Sequence, residues 1–247
     1  MVRVRLVLAC LVSTALLMLG AIPAEAQTPF PRTSPSWRTC VRTLDGITTK
    51  ISRTQRTVII VNQTARTYAR VSFWVRRSGA CSLTRKFLNR TARIGSNGTV
   101  AGTERKQGSG TTPRGTYTIT ETFGNGAAPY TSMPYHQVRR GDYWVGDNRS
   151  RHYNTLRNSA DGGFRWWLPK SNVNSSENLR AFGAQYRYVA VINFNRAPDQ
   201  REAYRGFGIF MHVKSDRATA GCVGITAAQM RQVLRYLRPG DKITIRR

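Results

Sequence analysis

Gly206-Phe207-Gly208-Ile209-Phe210-Met211-His212-Val213, followed by Thr219-Ala220-Gly221-Cys222-Val223 and then Thr226-Ala227-Ala228-Gln229-Met230, reads as a strand, a glycine turn and a capped helix. In the first segment Phe207, Ile209, Met211 and Val213 alternate with Gly208, Phe210 and His212, the period of two expected of a strand packed in a sheet. His212 falls on the face with fewer apolar side chains. Thr226 with Gln229 three residues on is a capping box, and Met230, Val233, Leu234 and Leu237 recur at helical spacing until Pro239-Gly240 stops the helix. Lys242 to Ile245 then returns to strand.

Upstream, β-branched and apolar runs predict strands at Thr57–Val61, Val71–Val75, Gly115–Thr120 and Arg187–Asn195. Asn174 followed by Glu177 predicts a helix start, giving a short helix over Ser175–Ala184. Between Tyr130 and Trp167, aromatic residues are broken irregularly by Gly, Asn and Asp, which reads as loops and short strands around a cleft. The expected class is therefore mainly β with one or two short helices, in one domain.

The first residues bear on location. Arg3 and Arg5, the apolar run Leu6–Leu19 and Ala24-Glu25-Ala26 have the form of a signal peptide cleaved after Ala26. That run is too short for a comfortable bilayer span, which needs about 20 residues, so no transmembrane anchor is expected. The organisation read from the chain is a signal peptide at 1–26, a flexible leader at 27–45, rich in Pro, Ser and Thr, and one folded domain at 46–247. A secreted protein follows from it. With 39 basic and 12 acidic residues the net charge is +27, enough to attract polyanions such as phosphate-bearing wall polymers. The basic residues are spread along the chain rather than gathered on an arm, so no specific nucleic-acid partner is implied.

Removing the signal peptide leaves Cys40, Cys81 and Cys222, so in an oxidising compartment one disulfide forms and one thiol remains. Cys40 and Cys81 flank the first predicted strands and are expected to pair, leaving Cys222 free. A lone Cys can simply be a small buried hydrophobe. A thiol before a helix N-terminus and near an imidazole can instead be drawn toward thiolate, and Gly221 lets the backbone turn tightly enough for amides to converge on an oxyanion. No His follows Cys222, which excludes the Cys-before-His order of papain-like proteases. No close-spaced cluster of His, Cys and carboxylates suggests a metal.

The segment Ile209–His212 with Thr219–Val223 resembles the signature of the L,D-transpeptidase catalytic domain family, a His followed by Ser/Thr-x-Gly-Cys-apolar. Gly110-Thr111-Thr112-Pro113-Arg114-Gly115-Thr116-Tyr117 is similar to the family's Thr-Pro-x-Gly-x-aromatic block. Trp144–Asp147 and Tyr153-Asn154 resemble segments of its secreted Gram-positive branch. The resemblance implies that 46–247 is a catalytic domain with a β-rich fold, a mixed sheet or sandwich, in a wall-associated protein that carries out acyl transfer on peptidoglycan stem peptides without a cofactor. Cys222 would be the nucleophile and His212 the acid/base, with Gly221, Thr219, Val223, Thr112 and Gly115 in the substrate-binding and oxyanion region. An amine acceptor would give 3-3 cross-links, and water would give L,D-carboxypeptidase activity. A non-enzymatic basic wall-binding protein would explain the charge but not the His-Cys turn. Ala220 stands where many members have His, and Gly224 where many have Arg or Asn, so substrate contacts are expected to differ.

Overall fold

The computed structural model describes residues 38–77, 80–198 and 202–247. The proposed signal peptide and most of the leader lie outside them. The strands in chain order are β1 (Thr39–Leu44), β2 (Ile47–Ser52), β3 (Thr57–Ala65), β4 (Tyr68–Arg76), β5 (Leu83–Arg93), β6 (Thr99–Ala101), β7 (Thr112–Gly124), β8 (Tyr135–Gln137), β9 (Asp142–Trp144), β10 (Leu156–Asn158), β11 (Glu177–Asn178), β12 (Val189–Ile192), β13 (Phe210–Val213), β14 (Val223–Ile225) and β15 (Asp241–Arg246). Helix α1 (Ala227–Tyr236) lies between the last two. The mainly β class, with a mixed sheet, is what the sequence predicts.

One large sheet dominates, in the order β12-β13-β14-β5-β4-β3-β15-β7-β6, and β12 pairs with β7 as well as β13, so the sheet closes into a barrel-like ring. The pairs β13–β14 and β15–β3 are parallel, whereas β12–β13, β3–β4 and β4–β5 are antiparallel. Closure removes the unpaired edges that an open sheet would expose.

Because side chains alternate along each strand, the ring has two faces with different contents. Ile59, Val71, Phe73, Met211, Val223 and Ile243 share one buried core with Met230, Val233 and Leu234 of α1. The opposite face of β7, β12 and β13 carries an aromatic cluster, Phe123, Val189, Val191 and Phe210, covered by Trp144 of β9, Leu179 and Tyr186. A third cluster seats the β1–β2 hairpin on Val58 and Ile60 of β3.

Three expectations need correction. Residues 39–44, inside the range read as leader, form β1. Ser175–Ala184 is not an α-helix. Asn174 spends its side-chain oxygen on the Asn148 backbone amide, Glu177 pairs with Trp144 in a small sheet, and only a 3-10 turn, Leu179–Phe182, forms before Gly183 at φ +43° ends it. The cap of that turn is Asn178, which accepts from Arg180 N–H. The strand begun at Gly206 starts only at Phe210, because Gly208 adopts φ +63°, which a ladder cannot use. The capping box at Thr226 forms with both of its bonds.

Cys40 and Cys81 are joined as a disulfide, and Cys222 is free and buried. The bridge closes a loop with a sequence separation of 41. In the chain-entropy treatment such a loop is worth about 4 kcal/mol. A Cys40→Ala/Cys81→Ala protein should lose stability of that order by urea unfolding while keeping its β-sheet circular dichroism, since the hairpin retains Leu44 and Ile51 in its own cluster.

Candidate active site

Two adjacent parallel strands carry the sequence-predicted pair. Met211 pairs with Val223 and His212 with Gly224, so Cys222 lies just ahead of β14, beside Phe210. Within β13, Met211 points into the core shared with α1, while Phe210 points to the aromatic cluster that holds Cys222. His212, two residues on from Phe210, shares that face, and its ring packs edge-on against Tyr186 at 5.4 Å.

The two groups are neighbours on one face, but they are not hydrogen-bonded to each other. The Cys222 thiol donates to the Gly208 carbonyl at 3.3 Å and accepts from the Phe210 N–H at 3.4 Å. His212 Nδ1 lies 2.9 Å from the Val213 carbonyl. A carbonyl only accepts, so Nδ1 carries the proton and Nε2 keeps the lone pair of a base. Burial pushes the His212 pKa down, with the Val213 carbonyl acting the other way. Burial and, secondarily, the charge of Glu177 push the Cys222 thiol up to about 12, partly offset by the Phe210 amide and Arg105. The resting state is thus neutral thiol beside neutral imidazole. It is not the preformed thiolate that a helix N-terminus suggests.

The turn around Cys222 is tied together by Thr219. Its hydroxyl donates to the Cys222 carbonyl at 2.7 Å and accepts from Gly221 N–H at 3.1 Å, while its backbone pairs with Ile94 and Ser96. Gly221 N–H is therefore occupied rather than free for an oxyanion. Gly221 itself adopts φ +139°, and a Cβ there would lie 2.8 Å from the Thr111 carbonyl. Val223 is wholly buried in the main core. Thr112 is buried and accepts the Gly95 amide at 2.8 Å, and Gly115 sits in the β7–β15 ladder opposite Ile245. These residues shape the turn and its support.

The profile of the L,D-transpeptidase catalytic domain family, YkuD, matches residues 56–245. The chain belongs to that family. Similar solved structures are L,D-transpeptidases from Stackebrandtia nassauensis, Mycobacterium tuberculosis (L,D-transpeptidase 1) and Mycobacterium smegmatis, at 14%, 13% and 12% identity with TM-scores of 0.32, 0.35 and 0.31. The aligned regions cover 78%, 81% and 84% of this chain, but only 56%, 67% and 66% of theirs. No curated protein matches.

The family-like blocks upstream have clear work in the site. Asn154, at φ +60° and buried, accepts from Gly208 N–H and Trp144 Nε1–H and donates to the carbonyls of Phe194 and Asn195. It therefore fixes Gly208, whose carbonyl receives the thiol proton. Asp147 binds Arg165 through both oxygens, at 2.6 and 2.8 Å, bracing the loop that follows β9.

Residue-type reasoning missed Arg105, Glu177 and Tyr186. Arg105 is 5% exposed and has no carboxylate partner among the described residues. Its guanidinium instead donates to the carbonyls of Thr111, Arg205 and Ala220, the last belonging to the turn that bears Cys222. Burial lowers its pKa, yet it remains the positive charge that favours a Cys222 thiolate. An Arg105→Met protein should alkylate Cys222 with iodoacetamide at pH 9 about tenfold more slowly than wild type, with Arg105→Lys in between. Equal rates in all three would show that Arg105 does not reach the sulfur electrostatically.

Proposed function

We propose that this protein is an exported L,D-transpeptidase that joins peptidoglycan stem peptides through a Cys222 thioester, with His212 moving the proton. The observation that carries the reading is the placement of a neutral thiol and a neutral imidazole with a free Nε2 on one face of adjacent parallel strands, within a chain of this family. Neutral His212 takes the thiol proton as the sulfur attacks the stem carbonyl, and returns a proton to the departing D-amino acid. An acceptor amine then attacks the thioester to give a 3-3 cross-link. Hydrolysis of the same intermediate would give L,D-carboxypeptidase activity. No cofactor takes part in either route.

Export is supported by the signal-like start of the sequence, and among the described residues no helix is long and apolar enough to cross a membrane. The charge of +27 supports retention on anionic wall polymers. Retention on isolated wall should fall sharply from low to high salt, because exposed charges are screened within about 3 Å at 1 M.

Intact-mass measurement after exposure to a carbapenem tests the chemistry. Wild type is expected to gain one adduct and Cys222→Ala none. His212→Ala should acylate about a hundredfold or more slowly. Because the His212 pKa is depressed, the wild-type rate should hold down to the ordinary imidazole range, about 6.5, and fall only below it, as the base becomes protonated. An adduct on Cys222→Ala, or none on wild type, rejects the reading.

A further inference from the structure

Glu177 is the carboxylate whose charge bears on Cys222. It lies on β11, paired with Trp144, which places it in the layer over the aromatic cluster. Oε1 accepts from the Tyr186 hydroxyl. Among the described residues no hydrogen bond or ion pair engages Oε2, and Glu177 as a residue is only part-buried. That oxygen lies beside Gly208, 3.2 Å from where a Cβ on the glycine would be. Gly208 is the residue whose carbonyl holds the thiol proton. The groups that bear on the carboxylate are Tyr186, Cys222 and, from the loop that precedes β11, Lys170, which makes no ion pair with it.

For the first half of the reaction such a carboxylate is unhelpful, because a negative charge beside the sulfur opposes the thiolate. Its value lies in the second half. Once the sulfur is acylated it carries no charge, and the next reactant, a primary amine, arrives in water as an ammonium ion without a lone pair.

We infer that the Glu177 carboxylate binds the ammonium group of the acceptor and removes its first proton. The inference rests on the acyl-transfer reading and assigns its second substrate a site. The proton passes from nitrogen to a carboxylate oxygen, and the freed lone pair attacks the thioester carbon. On collapse the C–S bond breaks as the C–N bond is retained. The second N–H proton returns through His212 to the sulfur, regenerating the thiol, and Glu177 releases its proton to water. Burial raises the Glu177 pKa to about 7, close to what a group that takes and returns a proton near neutrality requires. A water acceptor carries no positive charge for the carboxylate to hold, so Glu177 binds and orients the amine in preference to water and favours aminolysis over hydrolysis.

The test separates the two half-reactions in the whole mature protein. Wild type, Glu177→Gln and Glu177→Asp are given a tetrapeptide stem as donor and a diamino-acid stem as acceptor. D-amino acid release, cross-linked dimer and hydrolysed tripeptide are measured across pH. The Gln variant should form the carbapenem adduct at least as fast as wild type, yet its ratio of cross-link to hydrolysis should fall about tenfold, with a raised KM for the acceptor. Asp should recover part of the ratio. In wild type the ratio should step up as pH passes about 7, where Glu177 loses its proton, and the step should be absent from the Gln variant. An acylated Gln variant with an unchanged ratio overturns the inference and leaves the transpeptidase reading standing. A wild-type ratio flat across that pH range overturns it even if neither variant folds. A wild type that is never acylated removes both.

Discussion

The pairing of β12 with both β13 and β7 is the constraint on which the rest depends, because it closes the sheet. A closed, twisted sheet separates the alternating side chains of each strand into two compartments. Met211 enters the core shared with α1, while Phe210 and His212 face the aromatic layer. Parallel pairing of β14 with β13 then brings Cys222 beside Phe210 without any long-range coincidence. The connection from Lys214 to Cys222 is short for a parallel pair, which usually needs a dozen residues or more. It is held down along its length: Lys214 N–H bonds to Ile225, and Thr219 bonds to Ile94 and Ser96 at the end of β5.

The electrostatics around the sulfur are set by two residues of opposite sign from distant parts of the chain. Arg105 favours the thiolate and Glu177 disfavours it. Arg105 reaches the turn from behind, through the carbonyl of Ala220, whereas Glu177 approaches from the layer over β13 by way of Tyr186 and Gly208. Neither dominates burial, which leaves the thiol protonated at neutral pH. On the proposed reading, proton transfer to His212 accompanies attack rather than preceding it, and the acyl donor displaces the bonds that the sulfur makes at rest with Gly208 and Phe210.

Local signals were legible wherever a short stretch of chain decides its own conformation. Thr226 and Gln229 form the capping box, and the strands at Thr57, Val71 and Gly115 appear as read. The Cys40–Cys81 pairing was legible because the two flank the first predicted strands while Cys222 lies in a turn far along the chain. The failures share a cause. Asn174 has the side chain of a cap, but Asn148, distant in sequence, claims it, and the segment after it pairs with Trp144 instead of coiling. In the site, His212 and Cys222 stand out because their side chains are chemically rare. Arg105 is one of many arginines, and nothing in its neighbours announces that Thr111, Arg205 and Ala220 will surround it. Tyr186 and Glu177 gain their meaning only from long-range packing.

If the protein is exported as proposed, the buried, neutral thiol also reconciles two demands on its free cysteine. The Cys40–Cys81 bridge is suited to an oxidising compartment, and there an exposed thiolate would be the most readily oxidised group on the protein. Oxidation follows thiolate character and access. At 7% exposure, with its thiol hydrogen-bonded to the Gly208 carbonyl, Cys222 offers little of either at rest. The same features that slow the uncoupled thiol therefore preserve it. In the proposed reaction, thiolate character appears only when a bound acyl donor supplies a carbon for the electron pair and His212 a place for the proton. The Asn154–Gly208–Cys222 chain of hydrogen bonds is then a means of storing the nucleophile as much as of placing it.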